Sequence, residues 1–145
     1  MGNRGALSIT IGMANELVGY FGATIIGSVL LEKMIGFELI NDVDVAIDLS
    51  RLWNIKKFLE DKGFKETESS YQQPGYADTI GSLVFKREGH LPIHVSIKGK
   101  DFKLKTIPEI IKEKIDRYSA TDRAQILQFV KTNTNNSLWT EKIKK

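Results

Sequence analysis

The sequence predicts an α+β domain in which helices flank a central mixed β-sheet and a helical pair follows at the C-terminus. Apolar residues recur at helical spacing in several segments, and shorter segments between them alternate with the two-residue period of strands. The 145 residues suit a single domain. We expect its core at about residues 6–105 and its C-terminal helices at about residues 107–135.

The composition excludes several kinds of site. The chain has no cysteine, which excludes a disulfide framework and a thiolate metal site, and its two histidines leave little room for a histidine-rich site. No apolar run reaches the length of a membrane span and no signal peptide is evident, so we expect a cytoplasmic protein without a membrane partner. A net charge of +3 permits anionic partners without requiring them.

The first half of the chain has the patterns of alternating helices and strands. The predicted elements are a helix at Ala6–Phe21, a strand at Ala23–Ile26, a helix at Val29–Ile35, a strand at Asp42–Asp48 and a helix at Arg51–Lys62. Ser50 is expected to cap the last of these helices, because a serine hydroxyl can accept a bond from a free amide. Trp53 is expected in the core.

The second half is predicted as three strands followed by two helices. The predicted elements are strands at Phe64–Tyr71, Thr79–Arg87 and Leu91–Lys98, and helices at Glu109–Tyr118 and about Arg123–Thr132. Tyr71 and Tyr76 border a turn, where packing at a hairpin end is favoured over stacking on a ligand. The basic connector at 98–105 is expected to be a solvated loop, with contact to nucleic acid as the alternative.

Two carboxylates on the predicted strand at 42–48 give the first chemical signal. Asp42 and Asp44 lie two residues apart and therefore share one side of an extended strand. Aspartate is depleted in strands, so this placement needs a reason. Mg²⁺ is usually held by one or two carboxylates together with substrate phosphates. The pair therefore indicates a cation site, with a solvent-facing acidic edge strand as the alternative.

Gly27 and Ser28 give the second signal, because they follow a predicted strand and precede a predicted helix. A glycine there lets a ligand approach the backbone, and amides at a helix start favour phosphate. Taken alone, Ser28 suits an ordinary helix cap. Combined with the acidic pair, the turn indicates a site where one part cradles a triphosphate and the other holds the bridging metal ion.

This combination resembles the signature of the nucleotidyltransferase superfamily, which has the DNA polymerase β-like fold. The signature is an apolar residue, Gly, Gly or Ser, a spacer, then Asp-x-Asp between apolar residues. Here Ile26-Gly27-Ser28 is followed after 13 residues by Asp42-Val43-Asp44-Val45. Gly36-Phe37 resembles the abortive-infection toxin-type and minimal enzymes. The Arg and the Thr or Ser that often precede the first Asp there are replaced by Leu39 and Asn41.

The resemblance implies a Mg²⁺-dependent transfer of a nucleoside monophosphate group from a nucleoside triphosphate to an unknown acceptor. It implies that Asp42 and Asp44 are catalytic metal ligands and that Gly27 and Ser28 bind phosphates. The third carboxylate of the family would fall at His94. An imidazole can serve as the base that activates the acceptor, but it is a poorer Mg²⁺ ligand than a carboxylate.

The predicted C-terminal helices carry a weaker part of the resemblance. Glu109 and Lys114 keep the family spacing, Arg117 follows, and Asp122 is the one residue kept from a later acidic pair. The resemblance implies that Lys114 contacts a phosphate, whereas a solvated lysine is the alternative. The missing third carboxylate also favours an alternative function, a catalytically degenerate module that binds nucleotide, protein or RNA without turnover.

Overall fold

A five-stranded sheet forms the centre of the structure, a computed structural model that describes residues 2–70 and 79–133. The strands are β1 (Thr24–Ile26), β2 (Val43–Ile47), β3 (Lys65–Ser70), β4 (Thr79–Lys86) and β5 (Ile93–Lys98). Their order across the sheet is β1-β2-β5-β4-β3. β2 and β5 run parallel and the other neighbours run antiparallel, which confirms the predicted α+β class and the mixed sheet.

Five α-helices accompany the sheet in the described parts of the chain. They are α1 (Gly2–Phe21), the single turn α2 (Glu32–Ile35), α3 (Leu52–Asp61), α4 (Ile107–Arg117) and α5 (Ala120–Asn133). The order of elements follows the predicted order throughout. Among these helices, none combines the length and the apolar character needed to cross a membrane.

The core lies on one face of the sheet, where α1 and α3 pack. The alternation along β2 and β5 sends their apolar residues to this face, and most of them are fully buried. They form one cluster with Leu7 and Leu17 of α1 and with Ile55 and Leu59 of α3. The same alternation sends the polar residues of both strands to the other face, which is the floor of a cleft.

The helix predicted at Val29–Ile35 is shorter and tighter than expected. The chain forms a 3₁₀ turn at Gly27–Leu31 before the single α-helical turn of α2. Glycines with positive φ stand at both ends, 78° at Gly27 and 85° at Gly36. The two glycines bound the helical segment at each end and keep it short. Short helical segments often adopt 3₁₀ geometry.

Two predictions at the start of α3 are wrong. The helix is preceded by a 3₁₀ turn at Leu49–Arg51, and the residue at its N-cap, Arg51, makes no side-chain capping bond, so Ser50 is not the cap. Trp53 is 73% exposed. It lies about 160° around the helix from Ile55, which is buried, because successive residues are separated by about 100°.

The two C-terminal helices begin earlier than predicted because each has a cap. Thr106 and Glu109 exchange the two bonds of a capping box, which starts α4 at Ile107 and places Pro108 in its first turn. Ser119 accepts a bond from the Asp122 amide, and Asp122 accepts one from the Ser119 amide. The prediction for Tyr71 and Tyr76 falls outside the described residues.

Candidate metal and phosphate site

The structure brings Asp42, Asp44 and His94 together at one end of the cleft. Asp44 on β2 pairs in register with His94 on β5, so both side chains lie on the cleft face, and Asp42 directly precedes β2. His94 Nε2 is 3.4 Å from Asp42 Oδ2, and His94 Nδ1 is 3.7 Å from Asp44 Oδ1. One ligand atom from each residue lies within 4.8 Å of the other two.

Gly27 places the backbone of the turn directly against this cluster. Its φ of 78° lies in the left-handed region that glycine alone adopts readily. A Cβ atom built on Gly27 would collide with Asp44 Oδ2. Glycine at this position therefore permits both the turn and the position of the carboxylate, and it brings two of the predicted site residues into contact.

Lys114 lies behind the turn and links it to the C-terminal helices. Its side chain is 4% exposed, and Nζ donates to Ser28 Oγ at 2.8 Å and to Gln125 Oε1 at 2.6 Å. Gln125 Nε2 donates to the Leu39 carbonyl at 2.6 Å, which fixes the orientation of its amide. Ser28 therefore binds α4 and α5 and does not cap its own helical turn.

Arg117 and Asp122 form a second charged pair beside Lys114. Arg117 Nε and Nη2 donate to the two carboxylate oxygens of Asp122 at 2.8 and 2.6 Å. The Ser119 hydroxyl donates to the same carboxylate at 2.7 Å, and Asp122 Oδ1 lies 4.0 Å from Lys114 Nζ. Burial disfavours the Asp122 anion, but the bonds from Arg117 and Ser119 outweigh it and hold the Asp122 pKa well below its usual value.

The cleft therefore has an acidic side and a basic side. Removal from water, and then the neighbouring Asp42 charge, raise the pKa of Asp44 well above 3.8, against the opposing effect of Lys114 and Arg117. Burial lowers the pKa of Lys114, and Asp122, Asp44 and Asp42 oppose that effect. Two carboxylates held this close, with the pKa of one raised, favour a cation between them.

The cleft has a volume of about 430 Å³. All six residues that the sequence analysis assigned to a site line it: Gly27, Ser28, Asp42, Asp44, His94 and Lys114. Arg117, Asp122 and Gln125 also line it, and Phe102 and Leu104 of the basic connector border its other side. This volume is in the range of small-molecule sites.

Gln125 is the site residue that the sequence analysis missed. The apolar residues of α5 predict one of two buried sets, either Ala124, Leu127 and Val130 or Ile126, Phe129 and Val130. Neither set is buried as a whole, because Val130, which belongs to both, is 39% exposed and Leu127 is 67% exposed. The buried residues of this helix include Asp122, Gln125 and Phe129. The signal in the sequence was the polar pair three residues apart, which shares one helix face.

We expect the charge on Asp44 to destabilise the fold in the absence of a cation. A raised pKa means that the folded state holds the proton more tightly than the unfolded state, so stability falls as pH rises from 3.8 through the raised pKa. Asp44→Asn removes this charge and should raise the free energy of unfolding by about 1 kcal/mol at neutral pH.

Urea unfolding without divalent ions, at about pH 7 and about pH 4, measures this difference. The gain from Asp44→Asn should shrink toward the lower pH, where the wild-type carboxyl is protonated. A variant that is less stable than the wild type at neutral pH would contradict the destabilisation expected from burial of the Asp44 charge beside Asp42.

The chain matches no protein-family model, and no curated protein matches it significantly. The assignment of a function therefore depends on the geometry of the cleft.

Proposed function

We propose that this protein is a metal-dependent nucleotidyltransferase that transfers a nucleoside monophosphate group from a nucleoside triphosphate to an acceptor. One observation carries the proposal: a glycine turn, a carboxylate pair and a buried lysine meet in a single cleft. Gly27 lies so close to Asp44 that an added Cβ would collide with the Asp44 carboxylate. The next residue, Ser28, accepts a hydrogen bond from Lys114. Backbone at a glycine turn and a lysine bind phosphates in known phosphoryl-transfer sites, and one or two carboxylates hold the metal ion.

The donor set fits a divalent cation. Asp42 and Asp44 would hold it, with His94 as the third neighbouring donor, and phosphate oxygens would complete its coordination. The cation would neutralise charge on the phosphates and orient them for displacement. Burial and then the neighbouring Asp42 charge raise the pKa of Asp44, and a bound cation would offset both effects.

The basic side of the cleft would hold the terminal phosphates. Gly27, Ser28 and Lys114 line the same cleft, and Arg117 lies one helical turn beyond Lys114. Asp122 holds the Arg117 guanidinium in place by accepting two hydrogen bonds from it. Both oxygens of the Asp122 carboxylate are used in this pair. In the transfer, the acceptor oxygen would form a bond to the α-phosphorus and the acceptor would lose its proton. The bond from the α-phosphorus to the oxygen shared with the β-phosphate would break. These residues would hold the pyrophosphate that leaves.

The acceptor would approach across the open face of the sheet. A second, shallower depression of about 340 Å³ adjoins the cleft, lined by Thr67, Val84, Lys86, Pro92 and His94. His94 lines both depressions, so an acceptor lying over β4 would have its attacking atom close to the metal cluster. This arrangement would place nucleotide and acceptor on opposite sides of the cluster.

The occupant of position 94 favours a second candidate function. The family that the sequence resembles has a carboxylate where this chain has His94. A degenerate site would bind nucleotide without transferring it, and the protein would then act as a binding or regulatory module. Binding of nucleotide without release of pyrophosphate would support this second function.

Calorimetric titration tests the proposal. We expect one of the four nucleoside triphosphates to bind in the presence of Mg²⁺, and we expect chelation of the metal to abolish binding. Asp42→Ala should abolish the metal-dependent binding and any transfer while leaving the fold intact, because Asp42 lies outside the buried core.

Asp48→Ala is a matched control, because Asp48 is an exposed carboxylate beyond the other end of β2. This variant should bind nucleotide like the wild type. Metal-dependent binding that persists in folded Asp42→Ala would refute the assigned site.

A further inference from the structure

His94 supplies a nitrogen donor to a cluster whose other donors are oxygens. Both of its ring nitrogens face carboxylates, Nε2 toward Asp42 and Nδ1 toward Asp44. The separations of 3.4 and 3.7 Å exceed the usual N–H···O distance of about 2.9 Å, so hydrogen bonds alone do not account for the arrangement. One donor atom from each of the three residues lies within 4.8 Å of the other two, so the three donors surround one small space.

We propose that the Asp42–Asp44–His94 cluster is a mixed nitrogen-and-oxygen site that prefers a first-row transition-metal ion such as Mn²⁺ to Mg²⁺. His94 is then a metal ligand and not the base that the resemblance implies. The reason is ligand chemistry: carboxylates suit Mg²⁺ and Mn²⁺ alike, whereas an imidazole contributes much more to a transition-metal ion. The inference deepens the proposed function by naming the ion of the same site.

The position of His94 supports a ligand more than a base. A general base needs a ring nitrogen free to face the acceptor, and both nitrogens of His94 are turned toward the carboxylates. Three protein donors would leave the remaining coordination positions of a bound ion for other ligands. Phosphate oxygens would take those positions, as expected for an ion that bridges a protein and a nucleotide.

Direct metal binding tests this inference without nucleotide or acceptor. The free Mn²⁺ signal in electron paramagnetic resonance reports Mn²⁺ binding to the full chain, and added Mg²⁺ reports competition. We expect the wild type to bind one Mn²⁺ at the cluster at least about tenfold more tightly than Mg²⁺. His94→Asp creates an all-oxygen set and should reduce the Mn²⁺-to-Mg²⁺ affinity ratio by about tenfold, with tighter binding of Mg²⁺.

His90→Asp is the matched control, since it makes the same exchange at the other histidine, which lies against Phe64 and outside the cleft. It should leave the affinity ratio unchanged, and circular dichroism checks that each variant is folded. An unchanged ratio in folded His94→Asp would overturn the inference, as would a wild type that binds no Mn²⁺ or prefers Mg²⁺. Nucleotide titration with Mg²⁺ tests the proposed function separately, so either proposal can fail alone.

Discussion

Gly27→Ala is expected to lower the free energy of unfolding by about 3 kcal/mol and to abolish nucleotide binding. Two effects add at this position. An alanine at a φ of 78° is strained by about 1–2 kcal/mol. Its Cβ would also collide with Asp44 Oδ2, so either the turn or the carboxylate must move. Movement of either would separate the Gly27–Ser28 turn from the Asp42–Asp44–His94 cluster.

Gly22→Ala is a control that separates the effect of backbone strain from the effect of the collision with Asp44. Gly22 has a similar φ of 69°, but a Cβ there meets nothing within 4 Å. This variant should lose only the strain energy, about 1–2 kcal/mol, and should bind nucleotide normally. Urea unfolding measures the stability of both variants and calorimetry their nucleotide affinity. Equal losses of stability at both positions, with nucleotide binding retained in Gly27→Ala, would refute the contact between turn and carboxylate as a functional feature.

Lys114→Met should weaken triphosphate binding by about 10- to 100-fold, because a charge-assisted hydrogen bond is worth about 1.5–3 kcal/mol. The effect on stability should be smaller. Methionine fills much of the same buried space, and it avoids the unfavourable free energy of burying an ammonium group. It also leaves Gln125 Oε1 without its closest hydrogen-bond donor, which lowers stability. We expect a net loss of about 1 kcal/mol in the free energy of unfolding.

Lys112→Met is the control for this prediction. Lys112 lies on the same helix but is exposed, so the same substitution changes the net charge equally without touching the cleft. It should bind the triphosphate like the wild type at physiological salt, where exposed charges are largely screened. An equal loss of affinity in both variants would show that Lys114 acts only through the overall charge of the protein.

The local sequence determined the order of the elements and singled out most residues of the candidate site. The spacing of apolar residues predicted the helices and strands because burial of one face imposes a period of 3.6 or 2 residues. The Gly-Ser turn and the Asp-x-Asp strand could be identified because aspartate is depleted in strands and a glycine after a strand lets a ligand approach the backbone. Element boundaries were less accurate, since the caps at Thr106 and Ser119 depend on side-chain bonds.

Only the tertiary structure decided what these residues contact. The parallel pairing of β2 with β5 places Asp44 beside His94, although the two are far apart in the chain, and strand order is not visible in the periodicity of either strand. The packing of α4 against α5 likewise decides that Lys114 is buried against Gln125 and Ser28 instead of being solvated. A polar side chain on a helix gives no local sign of whether it faces water or a cleft, because that depends on which distant elements pack around it.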